Sequence, residues 1–91
     1  MIHRNNKVQR AMQLKEKADL AFEQRDYENA RALYEASLER FQQRQHWEGI
    51  FIVRLSLGHL AFQQQDYSTA HSQYQQCVNM ARNVQRLDYL F

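Results

Sequence analysis

Leu20-Ala21-Phe22-Glu23-Gln24-Arg25-Asp26-Tyr27-Glu28-Asn29-Ala30, with Tyr34 beyond it, returns forty residues later as Leu60-Ala61-Phe62-Gln63-Gln64-Gln65-Asp66-Tyr67-Ser68-Thr69-Ala70, with Tyr74 beyond. Eight of the fifteen positions between 20 and 34 are identical to their partners. Composition alone does not produce that agreement. A fixed period of this length marks stacked units, each burying its apolar face on a neighbour, which turns the functional expectation toward binding and away from chemistry.

The 91 residues contain no Pro and two Gly, so no breaker interrupts long stretches of good helix formers, and the expected class is all-α. A chain this short buries only about 60 to 65% of its unfolded surface. The core should be thin. Twelve basic and ten acidic residues leave a net charge of +2, too small to argue for nucleic acid or a membrane surface. The single cysteine, Cys77, gives no sign of an oxidising compartment. The start Met-Ile-His-Arg-Asn-Asn lacks a signal-peptide core, and no run reaches the roughly 18 apolar residues of a membrane span. A cytoplasmic location is the expectation.

Apolar residues at steps of three and four predict a first helix from Asn5 or Asn6 to about Arg25, carrying Val8, Ala11, Met12, Ala18 and Phe22 on one stripe. Asp26 can cap a second helix, and Asp66 repeats the device. That second helix runs from Tyr27 through Ala30, Tyr34, Ser37 and Phe41; its later copy carries Ala70, Tyr74, Cys77 and Ala81. Ala30 and Ala70 mark the close approach of antiparallel helices, and Tyr34 and Tyr74 fill the space one turn on. Gly58, equivalent to Ala18, adds a second narrow point. His46 and Trp47-Glu48-Gly49 open a third helix that is apolar nearly all round, as a central member of a stack would be. Residues 87–91, Leu87-Asp88-Tyr89-Leu90-Phe91, align with 47–51, so a third unit is expected to begin there. The division is one domain over 1–91: a unit at about 6–45, a second at about 46–86, and 87–91 as the start of a third unit or a tail.

The series Leu57-Gly58, Ala61, Asp66-Tyr67, Ala70, Tyr74 and a small residue, Cys77, resembles the tetratricopeptide repeat, as does Ala18, Ala21, Asp26-Tyr27, Ala30, Tyr34, Ser37. The forty-residue spacing resembles the longer variety of that family found in bacterial signalling and transcription regulators. Lys17, Arg54, Arg25 and Gln65 depart from the family's usual residues, and no Pro closes either unit. The resemblance implies a superhelix of antiparallel helix pairs, two repeats in about four helices with the start of a fifth. It also implies a concave side, lined by the first helix of each pair, that binds proteins or peptides.

On that arrangement the inner stripe is Met12, Lys15, Asp19 and Phe22 in the first repeat and Ile52, Leu55, His59 and Phe62 in the second. These eight are the expected partner-binding residues. Phe22 and Phe62 can equally be core aromatics, whereas Ile52 and Leu55 form a second apolar stripe beyond what one intrachain contact uses. The family's carboxylate clamp of Lys and Asn is not reproduced, because Asp19 and His59 stand where Asn is expected.

His3, His46, His59 and His71 share no ligand spacing, Cys77 falls at a packing position, and there is no Gly-rich phosphate loop. The expectation is therefore a non-enzymatic module without metal or cofactor, binding protein or peptide and neither nucleic acid nor membrane. A second expectation is self-association: Trp47, Phe51, Leu87, Tyr89, Leu90 and Phe91 would complete the stack across a homodimer axis. A third makes the chain a regulatory segment of a larger signalling protein.

Overall fold

With no Pro and almost no Gly, the chain can turn only where side chains supply a stop and a start, and it does so three times at twenty-residue intervals. The computed structural model describes residues 6–90, with side-chain surroundings for 7–84. It shows four helices: α1 Asn6–Glu23, α2 Tyr27–Gln43, α3 Trp47–Gln63 and α4 Tyr67–Leu90. Arg25, Gln45 and Gln65 adopt φ of 63°, 50° and 63°. This left-handed residue reverses the chain, and the next amide then reaches back to close the helix end: Asp26 N–H to Ala21 O at 2.8 Å, His46 N–H to Phe41 O at 3.0 Å, Asp66 N–H to Ala61 O at 2.8 Å.

The residue that closes one helix also opens the next. Asp26 Oδ1 accepts from the Asn29 amide at 3.4 Å, His46 Nδ1 from Gly49 at 3.0 Å and Asp66 Oδ1 from Thr69 at 3.2 Å, satisfying first-turn donors that otherwise lack partners. The His46 ring stacks on Phe41, with centroids 5.2 Å apart. All three linkers are thus alike, and successive helices run antiparallel.

The expected start of a fifth helix is corrected by this structure. α4 continues without a break to Leu90, so the described residues hold four helices, and Phe91 lies outside them. The sequence explains the difference. Where Asp26, His46 and Asp66 stand, the next twenty-residue step brings Arg86, a residue type with donors only, which cannot accept a hydrogen bond from a helix's first amides.

α1 packs on α2, α3 on α4, α2 against α3, and α1 also meets α3. The molecule measures 43 × 39 × 17 Å, so two helix layers are its full depth and each helix keeps an open face. Ala30 and Ala70 are buried, as are Ala18, Ala21 and Ala61. These small residues let paired helices approach closely, and Tyr34 and Phe41 fill the space that remains. Burying side chains of that size contributes up to about 3 kcal/mol each.

The two hairpins repeat their contacts atom for atom in several places. Ser37 Oγ donates to the Ala11 carbonyl at 2.7 Å, and Cys77, forty residues on, directs its Sγ at the Phe51 carbonyl at 3.6 Å. Phe22 meets Tyr27 edge-on at 5.7 Å, and Phe62 meets Tyr67 at 5.3 Å. The Tyr74 ring lies over Gly58, and the buried Phe41 ring lies over Gly49. α3 is apolar on all sides because it is central: Ile50, Val53, Leu57 and Leu60 are buried.

Candidate functional site

The expected binding residues lie on α1 and α3, the first helix of each hairpin, at helical steps of three and four. Asp19 is the most constrained of them. Its carboxylate accepts a hydrogen bond from the Tyr34 hydroxyl on α2 and pairs with Lys15 Nζ at 2.9 Å, one turn away on α1. The tyrosine ring is buried, so this bond ties the groove surface to the core of the first hairpin. Burial disfavours the Tyr34 phenolate, and the Asp19 carboxylate adds to the effect, so its pKa is pushed well above the ordinary value.

Forty residues on, His59 occupies the register of Asp19 and meets Tyr74 edge-on at 5.7 Å. The second copy therefore replaces a hydrogen bond with an aromatic contact. Burial raises the Tyr74 pKa, and the nearby Cys77 adds to it.

Between α1 and α3 lies a depression lined by Asp19, Phe22, Glu23, Tyr34, Ser56 and His59. It brings together three of the eight expected residues, Asp19, Phe22 and His59. Its polar lining combines two carboxylates, an imidazole and two hydroxyls on an aromatic wall, a surface suited to orienting a bound segment. Glu23, Tyr34 and Ser56 were not among the expected site residues. Glu23 stands one turn from Asp19 and Ser56 three residues from His59, so helical spacing alone could have found both.

The other five are not among the residues that line that depression. Met12 is half-buried and packs on the core, as does Phe22. Lys15 and Leu55 are half-buried, while Ile52 is 41% and Phe62 56% exposed. Phe62 shows far more surface than the half-buried Phe22, so the second copy offers the apolar end of the stripe and the first copy the charged end.

Of the residues expected to self-associate, Trp47 and Phe51 have described side chains. Trp47 is 62% exposed and lies with Ile50, Arg54 and Met80 in an open groove between α2 and α4. Phe51 is half-buried and offers its carbonyl to Cys77. The side chains of Leu87, Tyr89 and Leu90 lie outside the described surroundings, and Phe91 lies outside the described residues. Arg54, at a position usually apolar in the resembled family, donates from Nη1 to Gln73 Oε1 at 3.2 Å and so bridges α3 to α4.

Among the described residues no group of three or more His, Cys, Asp or Glu is arranged to hold a metal ion. None of the described helices is long and apolar enough to cross a membrane.

Compared with family models, the chain matches the tetratricopeptide repeat over residues 9–83. The match takes in both hairpins, and repeats of that kind generally mediate protein–protein interaction. No curated protein and no solved structure matches the chain.

Proposed function

The chain belongs to the tetratricopeptide repeat family, and from that premise we propose that it is a non-enzymatic module capturing a protein or peptide along the concave stripe of α1 and α3. The observation that carries this reading is the depression at the α1–α3 junction, which collects Asp19, Phe22 and His59 beside exposed Phe62 and Ile52. An apolar residue of the ligand would settle against Leu55 and Phe62, while Lys15, Asp19 and His59 set its register by hydrogen bonds and charge. Met12 supports the stripe from beneath. The ligand is a segment of protein, and neither nucleic acid nor a membrane surface enters the reading. A cytoplasmic setting goes with it, one that the buried thiol of Cys77 suits.

Leu55→Asp and Phe62→Ala test the proposal. Partners recovered from lysate by the parent protein should be lost by both variants while their helical content stays unchanged. Retention of the same partners by two folded variants would show that the groove is not the binding surface.

A further inference from the structure

We propose that the outer face of α4 is a self-association surface, on which a second copy of this chain docks with its own α4 antiparallel to the first. This is independent of the groove and uses none of its residues.

The two halves of the chain divide their charge unevenly. Residues 6–45 carry fifteen charged side chains, whereas 46–85 carry four: Glu48, Arg54, Asp66 and Arg82. From Tyr67 to Val84, α4 contains no Asp or Glu at all. Water-facing helices ordinarily keep their charges, as α2 does with Glu28, Glu39 and Arg40. Depletion of charge is the compositional mark of a covered surface.

The forty-residue register locates that surface. On α2 the side turned to α3 carries Phe41 against Gly49, Arg31 and Glu35 beside Leu57 and Leu60, and Tyr34 beside Ser56. The same positions on α4 are Ala81, His71, Gln75 and Tyr74, with Val78 in the place of Leu38. Tyr74 rests on Gly58 and His59 of α3 and is half-buried, while no described element covers the other four: Val78 is 43% exposed, and His71, Gln75 and Ala81 are exposed. The charged residues Arg31 and Glu35 of α2 are replaced there by His71 and Gln75. A Gln both donates and accepts, so such a strip can pair with its own copy.

Charge also selects the occupant. At the opposite end of the molecule, the positions equivalent to Ile50 and Leu57 are Arg10 and Lys17, which with Arg40 make a basic, solvated end. Head-to-tail stacking would bring Arg82 to that end with no carboxylate between Tyr67 and Val84 to meet it. Pairing like with like avoids this. With Val78 on the two-fold axis, antiparallel helices set Arg82 against the Tyr74 ring of the second copy, four residues to either side, where a cation–π contact replaces repulsion between arginines.

The test is a mass measurement by light scattering through the micromolar range, with three variants of the whole chain. The parent protein should pass from one chain mass to two as concentration rises. Val78→Glu sets two carboxylates face to face and should raise the dimer dissociation constant at least about tenfold without loss of helix. In a Cys77→Ser background, Val78→Cys should cross-link to itself on oxidation, and Arg10→Cys should not. A single chain mass at every concentration would overturn the proposal, including the case in which a different protein covers this face. So would a dimer indifferent to Val78→Glu, or a mass that grows past two chains.

Discussion

The ring of Tyr74 lies directly across the backbone of Gly58: a Cβ at that position would come 2.4 Å from Cε1 and 2.7 Å from Cδ1. Gly49 stands in the same relation to Phe41, at 2.3 Å from Cδ1. The two contacts differ in what can yield. Phe41 has no exposed surface, whereas Tyr74 is half-buried at the open side of the second hairpin.

Gly49→Ala should therefore destabilise the protein by about 2 to 3 kcal/mol through overpacking. Gly58→Ala should cost less, because the Tyr74 ring can swing outward and the helix gains about 1 kcal/mol of propensity. Urea unfolding of both variants checks the order, and a larger loss for Gly58→Ala would contradict it.

Alkaline pH should weaken the fold through its buried acids. Burial first, then the hydrogen bond to Asp19 and its charge, raise the Tyr34 pKa, and burial raises Cys77 as well as Tyr74. A folded value raised above the unfolded one contributes stability that is full below the unfolded pKa and declines as pH climbs toward the folded pKa. The decline should begin near pH 9 to 10, where unfolded Cys and Tyr ionise. Tyr34→Phe should cost about 1 kcal/mol at neutral pH and flatten the alkaline slope. Denaturant midpoints measured against pH for the parent and variant decide this, and parallel slopes would count against it.

The left-handed linker residues should be improvable. An L-residue in that conformation costs about 1 to 2 kcal/mol, and glycine gives back part of the gain in chain entropy. Arg25→Gly, Gln45→Gly and Gln65→Gly should each raise stability by about 0.5 to 1 kcal/mol in thermal unfolding. A loss at all three would mean that the side chains of these residues hold the turns in some other way.

Much of this architecture was written in the repeated stretch itself. Asp26, Asp66, Ala30, Ala70, Tyr34 and Tyr74 occupy the caps, narrow points and fillers that their spacing foretold, because each acts through local geometry. The twenty-residue rhythm of the linkers was also present, in Arg25-Asp26, Gln45-His46 and Gln65-Asp66, but it is hidden by the dissimilarity of its residues: Asp and His cap through different atoms. The similarity of 87–91 to 47–51 misled for the same reason in reverse. Apolar similarity does not end a helix; a left-handed residue followed by an acceptor does, and Arg86 supplies none. At the groove, the stripe was legible from helical steps, while Glu23, Ser56 and the Tyr34 hydroxyl joined it only through the pairing of α1, α2 and α3. Sequence periodicity places residues on one helix, and the depth to which Met12 and Phe22 sink into the core depends on the neighbour.

The most direct test of the binding account is an amide resonance map of the isotopically labelled protein, titrated with a partner it captures. The account predicts that the largest shifts cluster at Asp19, Phe22, Glu23, Leu55, Ser56, His59 and Phe62, across α1 and α3. Shifts confined to α2 and α4, with the α1 and α3 stripe unmoved at saturation, would contradict it.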